Sequence, residues 1–363
     1  MLSSTLNRGA DQMSRIEKIR AFLRDRNAAG IFIKGLPSIR YFSGFSGEDS
    51  LLYIDPSQAV IITDARYSLQ AKEESPDFLM IDEGESFWTK LDKINYPDGV
   101  LNFDGAGFTF DDYQALSTKL DSRKLMTVDL MPLRTVKEAE EISLLKKAVE
   151  ISDLAFQGFL AKIGAGMREN QMAALLEYEM RKFGSEKTAF STIVASGKRS
   201  AMPHGLATEK VVEKGDFVTF DFGAVYNGYH SDITRTIVIG KAEQWQKEVY
   251  HIVREAQNLG INSIRAGLTG QVLDAIVRSY ISEKGYGEYF THGLGHGVGL
   301  QIHELPVASK RGVEKLLPSM VLTIEPGVYI ADKGGVRIED MVVITPSGCD
   351  ILTQSSKELF EID

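Results

Sequence analysis

Only one cysteine, Cys349, occurs among the 363 residues, so no internal disulfide can form and the chain is compatible with a reducing compartment. No apolar run reaches the ~18 residues needed to span a bilayer. The opening Met1-Leu-Ser-Ser-Thr-Leu-Asn-Arg-Gly9 lacks the apolar core of a secretory signal. Residues 1–13 are therefore expected to be a disordered extension, and a cytoplasmic location is the matching expectation. Positive charge is also short. The 41 Lys and Arg stand against 50 Asp and Glu, a net charge of −9 with the bases dispersed, which argues against nucleic acid as a partner. Neither the glycine run near residue 295 nor Gly105-Ala-Gly107 completes the G-x-G-x-x-G of a dinucleotide site, and no low-complexity tract interrupts the chain.

The length exceeds one typical domain and allows a sizeable core. The chain divides near Met131-Pro132, giving an amino-terminal domain over 14–131 and a second domain over 132–363. In the first, Ser14-Arg-Ile-Glu17 reads as a capping-box helix start with Ile16, Ile19, Phe22 and Leu23 on one side. Strands are expected at 30–33, 51–54, 59–63, 78–81 and 100–103, and a helix at 111–120, an α/β pattern. After Pro132, long helices are expected over 136–160 and 167–183, and further helices around His251 and Leu273. The acidic run Glu138-Ala-Glu-Glu141 reads as a solvated helix face. Strands and helices then mix without βαβ regularity, which predicts α+β with a curved antiparallel sheet.

Asp221, Asp232, His296, Glu325 and Glu339 each sit in an ordered-looking segment. In Phe217-Val-Thr-Phe-Asp221-Phe-Gly-Ala-Val-Tyr-Asn227-Gly228-Tyr-His-Ser-Asp232-Ile-Thr-Arg-Thr236, Asn-Gly marks a two-residue hairpin turn. That turn pairs Tyr226 with Tyr229 and sets Asp221 opposite Thr234, so Asp232 lies one diagonal step away on the same face. Glu325 in Val321-Leu-Thr-Ile-Glu-Pro-Gly and Glu339 in Val336-Arg-Ile-Glu-Asp flank Ala331-Asp-Lys-Gly-Gly335, and a turn centred near Asp332 would face them. One such acid alone would read as a solvated strand-edge residue. Four brought together would repel one another unless cations lay between them. A two-metal site follows, because two cations can share carboxylates and acidify a bridging water.

His292 and His296 are four apart in Thr291-His-Gly-Leu-Gly-His-Gly-Val-Gly-Leu-Gln-Ile-His303-Glu304, the spacing of a helical zinc pair. The four glycines of that run argue against a helix and for close backbone approach. His303 is read either as a site residue or as a hydrogen-bonded structural histidine in a strand-like stretch. His204, in Ser200-Ala-Met-Pro-His-Gly205, belongs to a loop. His230 is either a neighbour of Asp232 or bland, and His251 is a bland helical residue.

With these strings, Phe-Asp-Phe-Gly, Ser-Asp-Ile-Thr-Arg-Thr, His-Gly-Leu-Gly-His-Gly-Val-Gly, Thr-Ile-Glu-Pro-Gly and Arg-Ile-Glu-Asp, the chain resembles the pita-bread metallopeptidases. It is most similar there to the shorter microbial Xaa-Pro peptidases, the prolidase and aminopeptidase P group. The motifs cover residues 190 to 340, and a weaker resemblance extends to an amino-terminal domain of creatinase type. The resemblance implies a dinuclear site with Asp221, Asp232, His296, Glu325 and Glu339 as ligands, usually for Mn2+ or Co2+ and sometimes Zn2+, with a bridging hydroxide as nucleophile. It implies a proton shuttle at Glu325 and an oxyanion donor at His303. His204 and His292 would hold the carbonyl and proline side of the substrate. Arg337 would pair with a substrate carboxylate or orient ligands, unless it is an ordinary strand salt bridge. A homodimer is the accompanying expectation. The alternatives are a methionine aminopeptidase-like enzyme and a non-catalytic pita-bread binding module.

Overall fold

Ser14 opens helix α1 (Arg15–Asp25): its hydroxyl accepts the Glu17 N–H at 3.3 Å, satisfying one of the helix's unpaired donors. The Glu17 carboxylate accepts from Arg20 Nη1 at 2.7 Å. The computed structural model describes residues 14–82, 86–120 and 124–363, so the extension expected at 1–13 lies outside the described residues. α1 buries Ile19, Phe22 and Leu23 of the stripe predicted by periodicity, while Ile16 is half-buried.

The chain forms two compact units, the first ending at Arg134 and the second starting at Thr135. Met131–Arg134 is a short 3-10 helix whose Leu133 carbonyl accepts Tyr41 Oη at 2.9 Å, which keeps it with the first unit. That unit holds one mixed sheet built from β1 (Gly30–Ile33), β2 (Ser50–Ile54), β3 (Ala59–Thr63), β4 (Leu79–Ile81), β5 (Leu101–Asp104) and β6 (Leu125–Val128), in the order β4-β3-β2-β1-β5-β6. Helices α2 (Leu36–Ser43), α3 (Ser68–Glu74), α4 (Phe87–Lys90) and α5 (Phe110–Lys119) complete it. α2 went unpredicted because its first turn is Leu36-Pro37. Proline suits a first turn but reads in isolation as a break. β6, partly exposed at the sheet edge, lacks a clear alternation.

In the second unit Val136 bridges Met320 and the Lys137 N–H donates to Ser319 O. The helix expected from Val136 therefore begins later, as α6 (Ala139–Leu160). Glu141 is not on a solvated face: it is 1% exposed, accepts Tyr229 Oη at 3.0 Å and accepts the Glu138 N–H at 2.9 Å. Cap formation and tertiary pairing draw it inward.

Two similar halves follow. In the first, α6 packs on α7 (Glu169–Lys182) beside β7 (Ile193–Ser196), β8 (Phe217–Phe222), the short hairpin β9 (Val225–Tyr226) and β10 (Tyr229–His230), and β11 (Ile233–Ile239). In the second, α8 (Gln244–Ser263) packs on α9 (Gly270–Glu283) beside β12 (Gly295–Gly297), β13 (Glu304–Ala308), β14 (Val321–Ile324), β15 (Gly327–Ile330), β16 (Gly334–Arg337), β17 (Asp340–Ile344) and β18 (Cys349–Ile351). The final strand β19 (Glu361–Ile362) returns to pair with β11. Each half has its own apolar core, one around Phe156, Phe159, Phe220 and Phe222, the other around Val253, Val277, Ile324 and Val342. Each such side chain contributes roughly 1.5–3 kcal/mol when buried. The architecture is α+β, and the strands carrying the acids are paired mainly antiparallel. Among the described residues no helix is long and apolar enough to cross a membrane.

Both carboxylate hairpins have the expected register. Tyr226 faces Tyr229 across Asn227 and Gly228, whose φ values of 45° and 75° are those of a two-residue hairpin turn. Asp221 faces Thr234. In the second hairpin, Ile324 faces Asp340 and Gly327 faces Arg337, so the register brackets Glu325 and Glu339 as opposite. Asp332, at φ 61°, lies in the turn.

Candidate functional site

Asp221, Asp232, His296, Glu325 and Glu339 line one cavity of about 550 Å3, within the range of small-ligand sites. His204, His292, His303 and Arg337 share it, and Phe190, Ile193, Leu206, Ile302 and Val307 form its apolar part. Single ligand atoms of Asp232, His296 and Glu339 all lie within 4.8 Å of one another. His296 Nε2 is 3.5 Å from Asp232 Oδ2 and 3.3 Å from Glu325 Oε1.

The glycines make this possible. A Cβ on Gly295 would lie 1.9 Å from Thr323 O, so only glycine lets β12 run close against β14 there. Thr323 Oγ1 then accepts the His296 N–H at 3.0 Å and donates to Glu325 Oε1 at 3.1 Å. His296 Nδ1 lies 3.0 Å from Gly297 O; the carbonyl can only accept, which puts the proton on Nδ1 and turns the Nε2 lone pair toward the acids.

Lone pairs aimed at one another call for a cation, and two further observations match that demand. Asp221 Oδ1 and Glu339 Oε1 are buried with no hydrogen-bond partner, a condition rare for buried acceptors. Without a cation, burial followed by the charges of Glu339, Asp221 and Glu325 pushes the Asp232 carboxyl well above its ordinary value. Burial, then Glu325 and Asp221, does the same to Glu339, and burial lifts Glu325 to about 8. The donor set fits a divalent cation, which would reverse these shifts. His296 is held below its ordinary value by burial and is thereby a neutral ligand.

Arg337, 3% exposed, spends its guanidinium on the protein: Nη2 to Asp221 Oδ2 at 2.6 Å, Nη1 to Pro203 O at 3.0 Å and Tyr329 Oη at 2.8 Å, Nε to Thr234 Oγ1 at 3.1 Å. Thr234 in turn donates to Glu339 Oε2 at 2.6 Å. Tyr329 must then give its own proton to His292 Nε2, 2.8 Å away, while His292 Nδ1 faces Gly293 O at 2.7 Å. Both nitrogens of His292 are thus engaged. Burial, then Arg337, lowers its pKa to about 4. Neither Tyr329 nor Thr234 was picked out from the sequence as a site residue: Tyr329 lies outside the motif strings, and Thr234, inside one, is read there only as the residue facing Asp221.

His303 is an exposed residue at the cavity, just before β13 rather than within a strand, with its ring edge-on to His296 at 4.3 Å between centroids. His204 lies in a turn, as expected. His230 stands apart from the lining and its Nδ1 lies 3.2 Å from Gly299 O. His251 is exposed on α8.

Two buttresses outside the lining shape the loops. The Arg278 and Asp274 side chains pair one helical turn apart on α9. Arg278 donates to the carbonyls of Phe290 at 2.7 Å and His292 at 2.6 Å, and Asp274 accepts the Leu294 N–H at 3.1 Å. They stiffen a stretch that glycines leave without side-chain anchors. Glu169, fully buried at the start of α7, accepts from the Ser196 N–H at 2.8 Å, the Thr208 N–H at 3.1 Å and Arg199 Nε at 3.1 Å. It ties down both ends of the segment bearing His204. Burial alone would raise its pKa, but the hydrogen bonds from Thr208 and Ser196, with Arg199, hold it below the ordinary value. Glu169→Ala is expected to cost on the order of 3 kcal/mol in urea unfolding, because Arg199 loses its carboxylate and the N–H groups of buried Ser196 and of Thr208 lose their acceptor. The Glu169 contribution is complete at pH 7. It is lost as pH falls below the unfolded value near 4.5 and through the lower folded one, so the difference between parent and variant should shrink in acid.

The profile of metallopeptidase family M24 matches residues 143–346, and that of the creatinase/prolidase N-terminal domain matches residues 15–138. The chain belongs to metallopeptidase family M24, with a creatinase-type amino-terminal domain and a pita-bread catalytic fold. It is 41% identical over 351 residues to the Xaa-Pro dipeptidase of Pyrococcus furiosus, covering 95% of this chain and 99% of that one. Among solved structures it is similar to an Xaa-Pro dipeptidase from Bacillus anthracis, with 42% identity, a TM-score of 0.92 and coverage of 96% and 99%. An X-Pro aminopeptidase from Thermotoga maritima gives 41% identity, a TM-score of 0.89 and coverage of 96% and 100%.

Proposed function

We propose that this enzyme hydrolyses the Xaa-Pro peptide bond at a two-metal centre held by Asp221, Asp232, His296, Glu325 and Glu339. Mn2+ or Co2+ are the proposed ions and Zn2+ the further candidate. The observation that carries the reading is the pair of buried, unpartnered carboxylate oxygens on Asp221 and Glu339, set in the cavity with the inward-facing nitrogen of His296. When bound, the ions would supply carbonyl polarisation and a water acidic enough to ionise near neutral pH.

An Xaa-Pro bond has no N–H for a general peptidase to grip, so recognition must rest on shape and on the carbonyl. The apolar part of the cavity, with Phe190, Ile193, Leu206, Ile302 and Val307, can receive the pyrrolidine ring and an apolar first side chain. Glu325, its Oε1 steadied by Thr323, holds the nucleophile's proton and returns it to the departing proline nitrogen. His303 donates to the developing oxyanion and His204 to the substrate carbonyl. His292, with both nitrogens engaged, contributes its ring to the proline side. Of the two roles the resemblance leaves to Arg337, orienting Asp221 is the one its contacts favour.

The test is a hydrolysis panel with metal supplied: Xaa-Pro dipeptides, Xaa-Pro-Xaa peptides, matching Xaa-Ala peptides and Met-Ala peptides. Cleavage confined to the proline substrates is expected. Equal rates on Xaa-Pro and Xaa-Ala, or preferential release of methionine, would move the reading to a methionine aminopeptidase-like enzyme. No cleavage by metal-loaded protein would leave a binding module. A homodimer and a cytoplasmic location complete the proposal, the former by resemblance and the latter from the single cysteine.

A further inference from the structure

Arg235 and Asp340 each lie one residue beyond a group at the centre, Thr234 and Glu339, on strands of two different sheets, β11 and β17. Arg235 is 1% exposed. Its Nη1 donates to Glu339 O at 2.6 Å and Thr234 O at 2.9 Å, its Nη2 to Asp340 Oδ1 and Ser355 O, both at 2.7 Å, and its Nε to Ser356 O at 3.0 Å. Asp340 Oδ2 accepts from Gln257 Nε2 at 2.9 Å and from Lys357 Nζ at 3.0 Å. The backbone of Glu339 is thereby gripped on both sides, since its N–H also donates to Thr234 O at 3.1 Å. Asp153 on α6 anchors the same segment by accepting the Gln354 and Ser355 N–H groups, each at 2.8 Å.

We propose that Arg235, Asp340 and Lys357 are positioning residues for the metal centre, a charged node that sets the separation between the strand following Asp232 and the strand following Glu339. None of the three belongs to the cavity lining. The node has work to do because Arg235 and Asp340 sit on strands of different sheets, and two sheets can part more readily than two strands of one sheet. A planar guanidinium suits this place: it can hold five oxygens in one rigid fork, whereas an ammonium is a point donor. Groups one step removed from metal ligands commonly change affinity by about 10–100-fold. The inference rests on the reading of Asp232 and Glu339 as ligands.

Chelator-stripped protein is titrated with Mn2+ and Co2+ by calorimetry, well below its melting temperature, for the parent, Arg235→Lys, Lys357→Met and Glu339→Gln. Arg235→Lys should bind about tenfold or more weakly and shift the visible spectrum of bound Co2+, and Lys357→Met should lose roughly threefold or more. A merely structural role would lower the melting temperature but leave both readouts unchanged. If Arg235→Lys and Lys357→Met both bind within about twofold of the parent while Glu339→Gln loses binding, the positioning role is wrong and the ligand reading stands. Parent-like binding by Glu339→Gln overturns the ligand reading itself. Should Arg235→Lys fail to fold, Lys357→Met alone decides, because its side chain is partly exposed and its removal leaves Asp340 paired with Arg235 and Gln257.

Discussion

Stripping the protein with a strong chelator is expected to abolish Xaa-Pro hydrolysis, and adding Mn2+ or Co2+ to restore it. With the ions gone, Asp232, Glu325 and Glu339 take up protons, because burial and mutual repulsion favour the neutral forms. The nucleophile and the electrophile are then lost together. Asp232→Asn and Glu339→Gln should each reduce metal content measured by plasma emission and lower activity to near background. The fold should persist, since each amide is close in shape to the neutral acid it replaces in the metal-free centre; circular dichroism checks this. Full turnover by protein with no detectable metal would end the two-metal reading. Oxygen-rich ligation suits harder cations without selecting one, so the restoring ion must be found by titration.

His303→Ala is expected to keep both metals and lower kcat by about 10²-fold, the effect of losing one oxyanion donor, ~3 kcal/mol. Its ring meets His296 edge-on at 4.3 Å yet remains exposed at the cavity, the placement of a group that acts on the substrate. Charge on the oxyanion appears only in the transition state, so KM should move much less than kcat. His251→Ala supplies the contrast. That ring is exposed on α8, 4.0 Å from Glu255, and its loss should leave metal content and kcat within a few-fold of the parent. Metal loss in His303→Ala would make it a ligand or a ligand's support; near-parent kcat would pass the oxyanion role to His204 or the ions.

Local chemistry was legible in the sequence where it acts over a few residues. Asn227-Gly228 demanded positive φ at two successive positions, and that alone set Asp221 opposite Thr234. The same holds for the turn at Asp332, which aligned Glu325 with Glu339. Of the strands described in the first unit, all but β6 were visible for their short apolar runs. What stayed hidden is held by distant partners. Glu141 looked solvated until Tyr229, 88 positions on, claimed its carboxylate. Tyr329 is one more strand aromatic until Arg337 donates to it and forces its proton onto His292. Arg278, Asp274 and Glu169 sit on ordinary amphipathic helices, and nothing in their periodicity separates a side chain that splints a loop from one that meets solvent.

The segment at 353–358 sets an order of events in folding. Arg235 and Ser356 are 121 positions apart, and β19 pairs with β11 across a similar stretch. Contacts this distant in sequence close slowly, because the intervening chain must be ordered before they are rewarded. A polypeptide emerging amino terminus first can build each half's core while the seam between β11 and β17 is still open. Lys357 must be made before Asp340 has both of its cations. The pocket for the ions is accordingly among the last parts of the molecule to become rigid, and a newly made chain is a folded body before it is a peptidase.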